Sequence, residues 1–154
     1  MTSTHTLAPP SAFNFAQHLL QSNQARANKT AVIDDLGQLT YGDLALQVQR
    51  FANGLRSLGL KREERVLLLM HDSSDWIVAF LGSLYAGVVP VAVNTLLTAE
   101  DYAFMVANSR AQAALVSGAL LPTLQAALSQ GAHEVRNLVV SRPTGALPDG
   151  AIDM

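Results

Sequence analysis

The stretch RVLLLMHDSSDWIVAFLGSLYAGVVPVAV, residues 65–93, decides the fold. Positions 66–70 are apolar without interruption, the pattern of a strand covered on both faces. Asp72 or Ser73 then offers a helix cap. From about 74 to 86, Ile77, Phe80, Leu81 and Leu84 recur at helical spacing and are expected to face inward. Trp76, Val78 and Ala79 make the other side apolar too, so this helix is expected to be buried nearly all round. Gly87 ends it, and 88–93 read as a second strand. The uncharged run 76–93 is long enough to pass for a membrane span. Gly82, Gly87 and Pro90 divide it, however, and Pro90 would cost a helix interior about 3 kcal/mol. A buried helix followed by a buried strand explains the run better, and no membrane partner is expected.

The same alternation extends outward in both directions. Upstream, Thr40 stands three residues before Asp43, a shortened capping box, and Leu44, Val48, Phe51, Leu55 and Leu58 share one helical face closed by Gly59. Before it, 31–33 and 38–40 read as a hairpin around the turn residues 34–37. Asn14 caps a short entry helix carrying Phe15, Ala16, Leu19 and Leu20. Downstream, Thr98 with Asp101 repeats the cap spacing before Tyr102, Met105 and Val106. A strand at 113–116, a helix with Leu120, Leu121, Leu124 and Leu128, and a strand at 138–140 complete the series. Strands alternating with helices predict an α/β fold, a mainly parallel sheet with flanking helices. The expected organisation is a flexible arm at 1–12, an α/β body at 13–141 and a loop at 142–154, rich in Pro143, Gly145, Pro148 and Gly150. A loop straight after a buried strand leaves a sheet edge open, which suggests a piece of a larger domain.

Composition narrows the function classes. A length of 154 residues allows a sizeable core without disulfides or metals, and there is no cysteine to supply either thiol chemistry or thiolate ligands. The net charge of -2 gives no basic field for nucleic acid. Charged residues make up 14%, below the roughly 25% usual for a soluble domain, so much of the surface is expected to meet other protein. Residues 1–10 show neither a basic nor an apolar signal-peptide region, and a cytoplasmic setting is expected.

Candidate chemistry is sparse. Gly54 and Gly59 have the spacing of a phosphate loop, but Leu60 precedes Lys61, and both glycines lie in or after a helix instead of before one. Gly82 and Gly87 fail likewise, being followed by Val88. His71 and Asp72 fall at a strand's carboxyl end, where α/β sheets place ligand groups, yet no nucleophile elbow accompanies them. A helix cap beside a solvated histidine is the simpler reading. His5, His18 and His133 lack carboxylates at metal-ligand spacing. The pairs Asp34 with Asp35 and Glu63 with Glu64 read as turn and solvated loop residues. Arg50, Arg56, Lys61, Arg62 and Arg65 form a basic cluster able to attract a phosphate-bearing ligand, but Glu63 and Glu64 interrupt it, which favours a solvated face.

The run Leu39, Thr40, Tyr41, Gly42, Asp43, Leu44 resembles the opening signature of adenylate-forming enzymes, and it is followed at the family's spacing by Ala52, Leu55, Leu58, Gly59, Arg65 and Val66. Leu84, Tyr85, Ala86, Gly87, Val88, Val89, Pro90, Val91 resembles the second motif of that family. Ser11 to Phe15, Asn94 to Thr98 and Val116 to Leu120 look like benzoate and hydroxybenzoate CoA ligases, and the likeness spans about 11–141. It implies the N-terminal part of an acyl-CoA synthetase fold and a two-step reaction. A carboxylate attacks the α-phosphate of ATP, giving acyl-adenylate and pyrophosphate, and the CoA thiol then displaces AMP, with Mg²⁺ offsetting phosphate charge. In the family, the Ser/Thr/Gly-rich phosphate loop ending Pro-Lys-Gly, the acid pocket, the ribose-binding Asp and the adenylation Lys come later in the chain. None has a matching position here, so no catalytic, cofactor-binding or metal residue is carried over, and tight binding of ATP, CoA or Mg²⁺ by these residues alone is not expected. The implied partners are the rest of a ligase chain and a small aromatic acid, with homo-oligomerisation left open. Two other readings stand beside this one: a self-contained flavodoxin-like module holding a ligand near His71 and Asn94, and a non-catalytic partner of an intact enzyme.

Overall fold

A computed structural model describes residues 10–154, so the expected arm at 1–12 lies mostly outside the described residues. The Asn14 side chain accepts from the Gln17 amide and starts helix α1, Phe15–Ser22. Ala16 is buried and Leu19 and Leu20 pack inward, but Phe15, expected on that face, is 51% exposed. Strands β1, Thr30–Asp34, and β2, Gly37–Thr40, form the antiparallel hairpin. The full capping box of Thr40 and Asp43 then opens α2, Tyr41–Ser57, and Gly59 takes the left-handed conformation just past its end.

The main sheet has five parallel strands in the order β4-β3-β5-β6-β7. They are β3, Arg65–Leu69; β4, Val89–Ala92; β5, Ala113–Ser117; β6, Asn137–Ser141; and β7, Ile152–Asp153. Between them run α3, Ser74–Ala86, α4, Ala99–Ser109, and α5, Leu121–Leu128. Connections from β3 lead to one side through β4 and then back across it to β5, so the order reverses between β3 and β5. This is the flavodoxin arrangement of doubly wound sheets, which places its ligand crevice at that reversal.

Alternation along the strands loads both faces. Val66, Leu68, Ala113, Leu115 and Val139 face Leu55, Phe51, Ala79 and Phe80 of α2 and α3. Leu67, Leu69, Ala114, Val116 and Val140 face Tyr102, Val106, Leu124 and Ala127 of α4 and α5. A third cluster joins Ala16, Leu44, Val48, Val78 and Leu81, so α3 lies between the sheet and the α1–α2 pair. That position buries α3 on nearly all sides, as expected, with Leu81 inside the third cluster and Ile77, Phe80 and Leu84 packed against the clusters around it. Val78, Ala79, Leu81, Gly82 and Ser83 are its buried residues, while Ile77, Phe80 and Leu84 are half-buried. Gly82 is there because a Cβ would meet Phe51 Cδ1 of α2 at 2.6 Å. Ser73, not Asp72, caps α3.

The segment 142–154, expected to be a loop, is one only as far as Ala151. Ile152 and Asp153 pair with Val139 and Val140 as a short edge strand, and Arg142 is held by three carboxylates. Among the described residues no helix is long and apolar enough to cross a membrane.

Candidate functional site

A cavity of about 810 Å³ opens at the carboxyl ends of β3, β5 and β6, beside the strand-order reversal. Its size lies within the range of small-molecule sites, roughly 300–1,000 Å³. His71, Asp72 and Ser73 follow β3 on one wall; Ser117 ends β5, with Gly118 and Ala119 after it; Arg142 and Thr144 follow β6. The hairpin supplies Val32, Ile33, Asp34 and Asp35, and α3 supplies Trp76 and Ile77. The lining mixes apolar residues, Val32, Ile33, Trp76 and Ile77, with the charged Asp34, Asp35, Asp72 and Arg142.

The chain comes together here because two backbones pass very closely. Gly118 lies under the β6–β7 connection, where a Cβ would overlap the Arg142 carbonyl oxygen and sit 2.8 Å from Pro143 Cα. Arg142 itself has φ +51, a left-handed conformation uncommon outside glycine. The turn throws its side chain back over the sheet, where it is 28% exposed. Nη2 donates to Asp34 Oδ2 at 2.6 Å, Nη1 to Asp35 Oδ1 at 2.8 Å and Nε to Asp75 Oδ2 at 3.1 Å. Ser141 Oγ donates to the same Asp75 oxygen at 2.6 Å. Asp34 Oδ2 also accepts the Ser74 amide at 3.0 Å and the Ser74 hydroxyl at 2.7 Å.

The Asp34 carboxyl is therefore held well below the usual carboxylate range. The Ser74 hydroxyl contributes most, then the Ser74 N–H at the positive end of α3, then Arg142. Arg142 is pushed up in turn, chiefly by Asp34. Asp34 thus fills the place an external anion would take at the start of α3, leaving no free phosphate cradle there. Asp34, Asp35 and Asp75 converge on one point, but the Arg142 guanidinium occupies it, so the set does not fit Mg²⁺.

Other residues singled out in the sequence do not assemble into a site. His71 and Asp72 are both exposed; His71 contributes its backbone N–H to Ser117 Oγ at 2.9 Å. Asn94 does not line the cavity. Its carbonyl accepts from the buried Tyr102 hydroxyl at 2.7 Å, which pins the loop ahead of α4. His18 and His133 are exposed and lie on separate elements, α1 and the loop after α5, while His5 lies outside the described residues. The basic cluster is mostly a solvated face, as expected: Arg50, Arg56, Lys61 and Arg62 are exposed, with Arg56 donating to the Tyr85 carbonyl and Arg62 paired with Glu63, while the half-buried Arg65 donates to the Ser109 carbonyl. The Arg142 hub was missed from sequence, since its partners lie 107, 108 and 67 residues away in the chain.

The topology and the crevice define an α/β unit of the doubly wound type with its cavity at the carboxyl ends of the strands. The family model described as AMP-binding enzyme matches residues 19–151, and the chain belongs to that family. It is 42% identical over 139 residues to benzoate–CoA ligase of Thauera aromatica, covering 88% of this chain and 26% of that enzyme. It is 35% identical over 123 residues to 4-hydroxybenzoate–CoA/benzoate–CoA ligase of Rhodopseudomonas palustris, covering 79% of this chain and 23% of that one. A benzoate CoA ligase crystal structure from Burkholderia xenovorans LB400 superposes with TM-score 0.82 and 50% identity, over 88% of this chain and 27% of that chain. The chain therefore spans about a quarter of the length of the relatives it matches.

Proposed function

We propose that this chain forms one flank of an ATP-dependent aromatic-acid:CoA ligase, acting on benzoate or a hydroxybenzoate through an acyl-adenylate. The observation that carries the reading is the 50% identity and TM-score of 0.82 with a benzoate CoA ligase over 88% of the chain. In such an enzyme ATP, Mg²⁺ and CoA would be held by the remaining three quarters of the molecule. The part played by the α/β body at 13–141 is scaffolding: its buried sheet fixes the loops at the strand ends against which the reacting groups would stand. Burial of apolar surface supplies the rigidity, at about 25 cal/mol per Å² removed from water. A cytoplasmic setting follows from the same reading, since the reaction consumes ATP and CoA.

A segment exchange tests this. Residues 13–153 replace the matching stretch of the Thauera benzoate–CoA ligase, and benzoyl-CoA formation is followed with benzoate, ATP, Mg²⁺ and CoA. The reading predicts a folded chimera whose kcat/KM lies within about tenfold of the parent, about 1.4 kcal/mol of transition-state stabilisation. A chimera that folds but forms no benzoyl-adenylate would contradict it.

A further inference from the structure

We propose that the tip of the β1–β2 hairpin is a movable wall of the cavity, held closed by a polar latch centred on Arg142. The hairpin is a two-stranded sheet of its own, with no ladder to the five-stranded sheet. Such ribbons are marginal without further packing. Its root has that packing: Ala31 and Val32 enter the α1–α2–α3 cluster, and Tyr41 N–H and Gly42 N–H donate to the carbonyls of Lys29 and Ala27. The tip lacks it. Ile33 is 71% exposed and Leu36 73% exposed, so nothing apolar holds residues 33–37 against the body.

What holds the tip is the set of bonds from Asp34 to Ser74 and Arg142 and from Asp35 to Arg142. The hub is built so that release leaves no orphaned charge. When the tip swings away, Arg142 keeps Asp75 through Nε and can keep the Ser74 hydroxyl through Nη2, at 3.1 and 3.2 Å in the closed form. Asp35, already 79% exposed, and Asp34 pass into water. Opening therefore avoids the large penalty of stranding a buried ion, which makes it a local event and not a global one. Because Arg142 leads the β6–β7 connection across Gly118, the latch also ties the hairpin to that connection. Movement of either element changes the opening beneath both.

Trp76 reports on the latch directly. It is the sole tryptophan, stacks on Phe80 with ring centroids 5.0 Å apart, and lines the cavity together with Val32 and Ile33. The experiment uses the 154-residue chain and reads acrylamide quenching of Trp76 together with amide hydrogen exchange, in the wild type and in Arg142→Gln, Asp34→Asn and Asp35→Asn. Arg142→Gln and Asp34→Asn should raise the quenching constant at least about twofold and speed exchange at Leu36 and Ser74 about tenfold or more, with Leu68 and Leu115 unchanged. Asp35→Asn should move both readouts less. In the wild type, raising NaCl from about 0.05 M to about 1 M should shift Trp76 quenching the same way, because the latch is ionic. Folded variants with wild-type quenching and exchange would overturn the proposal, as would acceleration spread evenly over the hairpin and β3. Should the variants fail to fold, a salt series that leaves Trp76 quenching flat overturns it as well.

Discussion

Single residues at the carboxyl end of the sheet carry consequences out of proportion to their size. Gly118→Ala would press a methyl group into the backbone of Arg142 and Pro143, which cannot rotate away. The expected loss is about 1–3 kcal/mol, the usual range for overpacking, read from urea midpoints. Protonation acts on the same corner. Asp34 is depressed by Ser74 and Arg142, Glu134 by Arg110, and Asp43 and Asp101 by the cap hydroxyls of Thr40 and Thr98. Each lowered carboxyl stabilises the fold fully above its unfolded pKa of about 4 and loses that contribution as pH falls through its folded value. Stability should thus hold through mildly acid pH and decline below about pH 4, with a shallower acid limb in Asp34→Asn than in wild type. An unchanged limb in that variant would count against Asp34 as a major contributor. The Arg142 hub of this corner was not legible in the sequence. Asp34 and Asp35 read as turn residues, which the Leu36 amide bond to Asp34 Oδ1 bears out, but their second role depends on a contact across more than a hundred residues.

Elements were far more legible than contacts, because their signals are local. Thr40 with Asp43 and Thr98 with Asp101 form the capping boxes that their spacing predicts, and both helices begin where those boxes stand. Thr98→Ala should cost about 1 kcal/mol, loosening α4 and the Asn94 loop that Tyr102 fastens, as thermal unfolding would show. A result near zero would mean that Tyr102 alone secures that start. Strand β7 escaped notice because a two-residue edge strand has no period to detect, and only its pairing with Val139 and Val140 defines it. The burial of α3 on nearly all sides was legible, whereas which side is buried most was not. Trp76, Val78 and Ala79 left the helix apolar all round, so its own sequence could not rank one face above another; the ranking comes from α1 and α2 packing behind it. Phe15 likewise satisfied a helical pattern without being needed by the core.

At the scale of the whole molecule, a low charged fraction and open apolar surface belong together. Leu96 is 89% exposed and Phe104 69% exposed, and a groove of about 490 Å³ runs between α2 and β7 past Phe51, Leu55, Leu58 and Ile152. A chain spanning a quarter of its relatives' length is expected to leave such surfaces for further protein to cover. The core itself is continuous through the central strands, and Leu68→Ala, within β3, should cost about 2–5 kcal/mol and threaten folding altogether. The fold class and family were readable because buried strands, caps and two ordered motifs all lie in short windows. The cavity was legible only where His71 and Asp72 stand at the end of β3, since its walls come from four separate segments.

We propose that this chain carries the frame of an aromatic-acid ligase and that the groups that react lie in other parts of such an enzyme. The most direct measurement is pyrophosphate release by the pure 154-residue chain, supplied with benzoate, ATP, Mg²⁺ and CoA. The account predicts a rate equal to the protein-free blank, with and without benzoate. Benzoate-dependent pyrophosphate above that blank would show that the frame does chemistry by itself and would contradict the account.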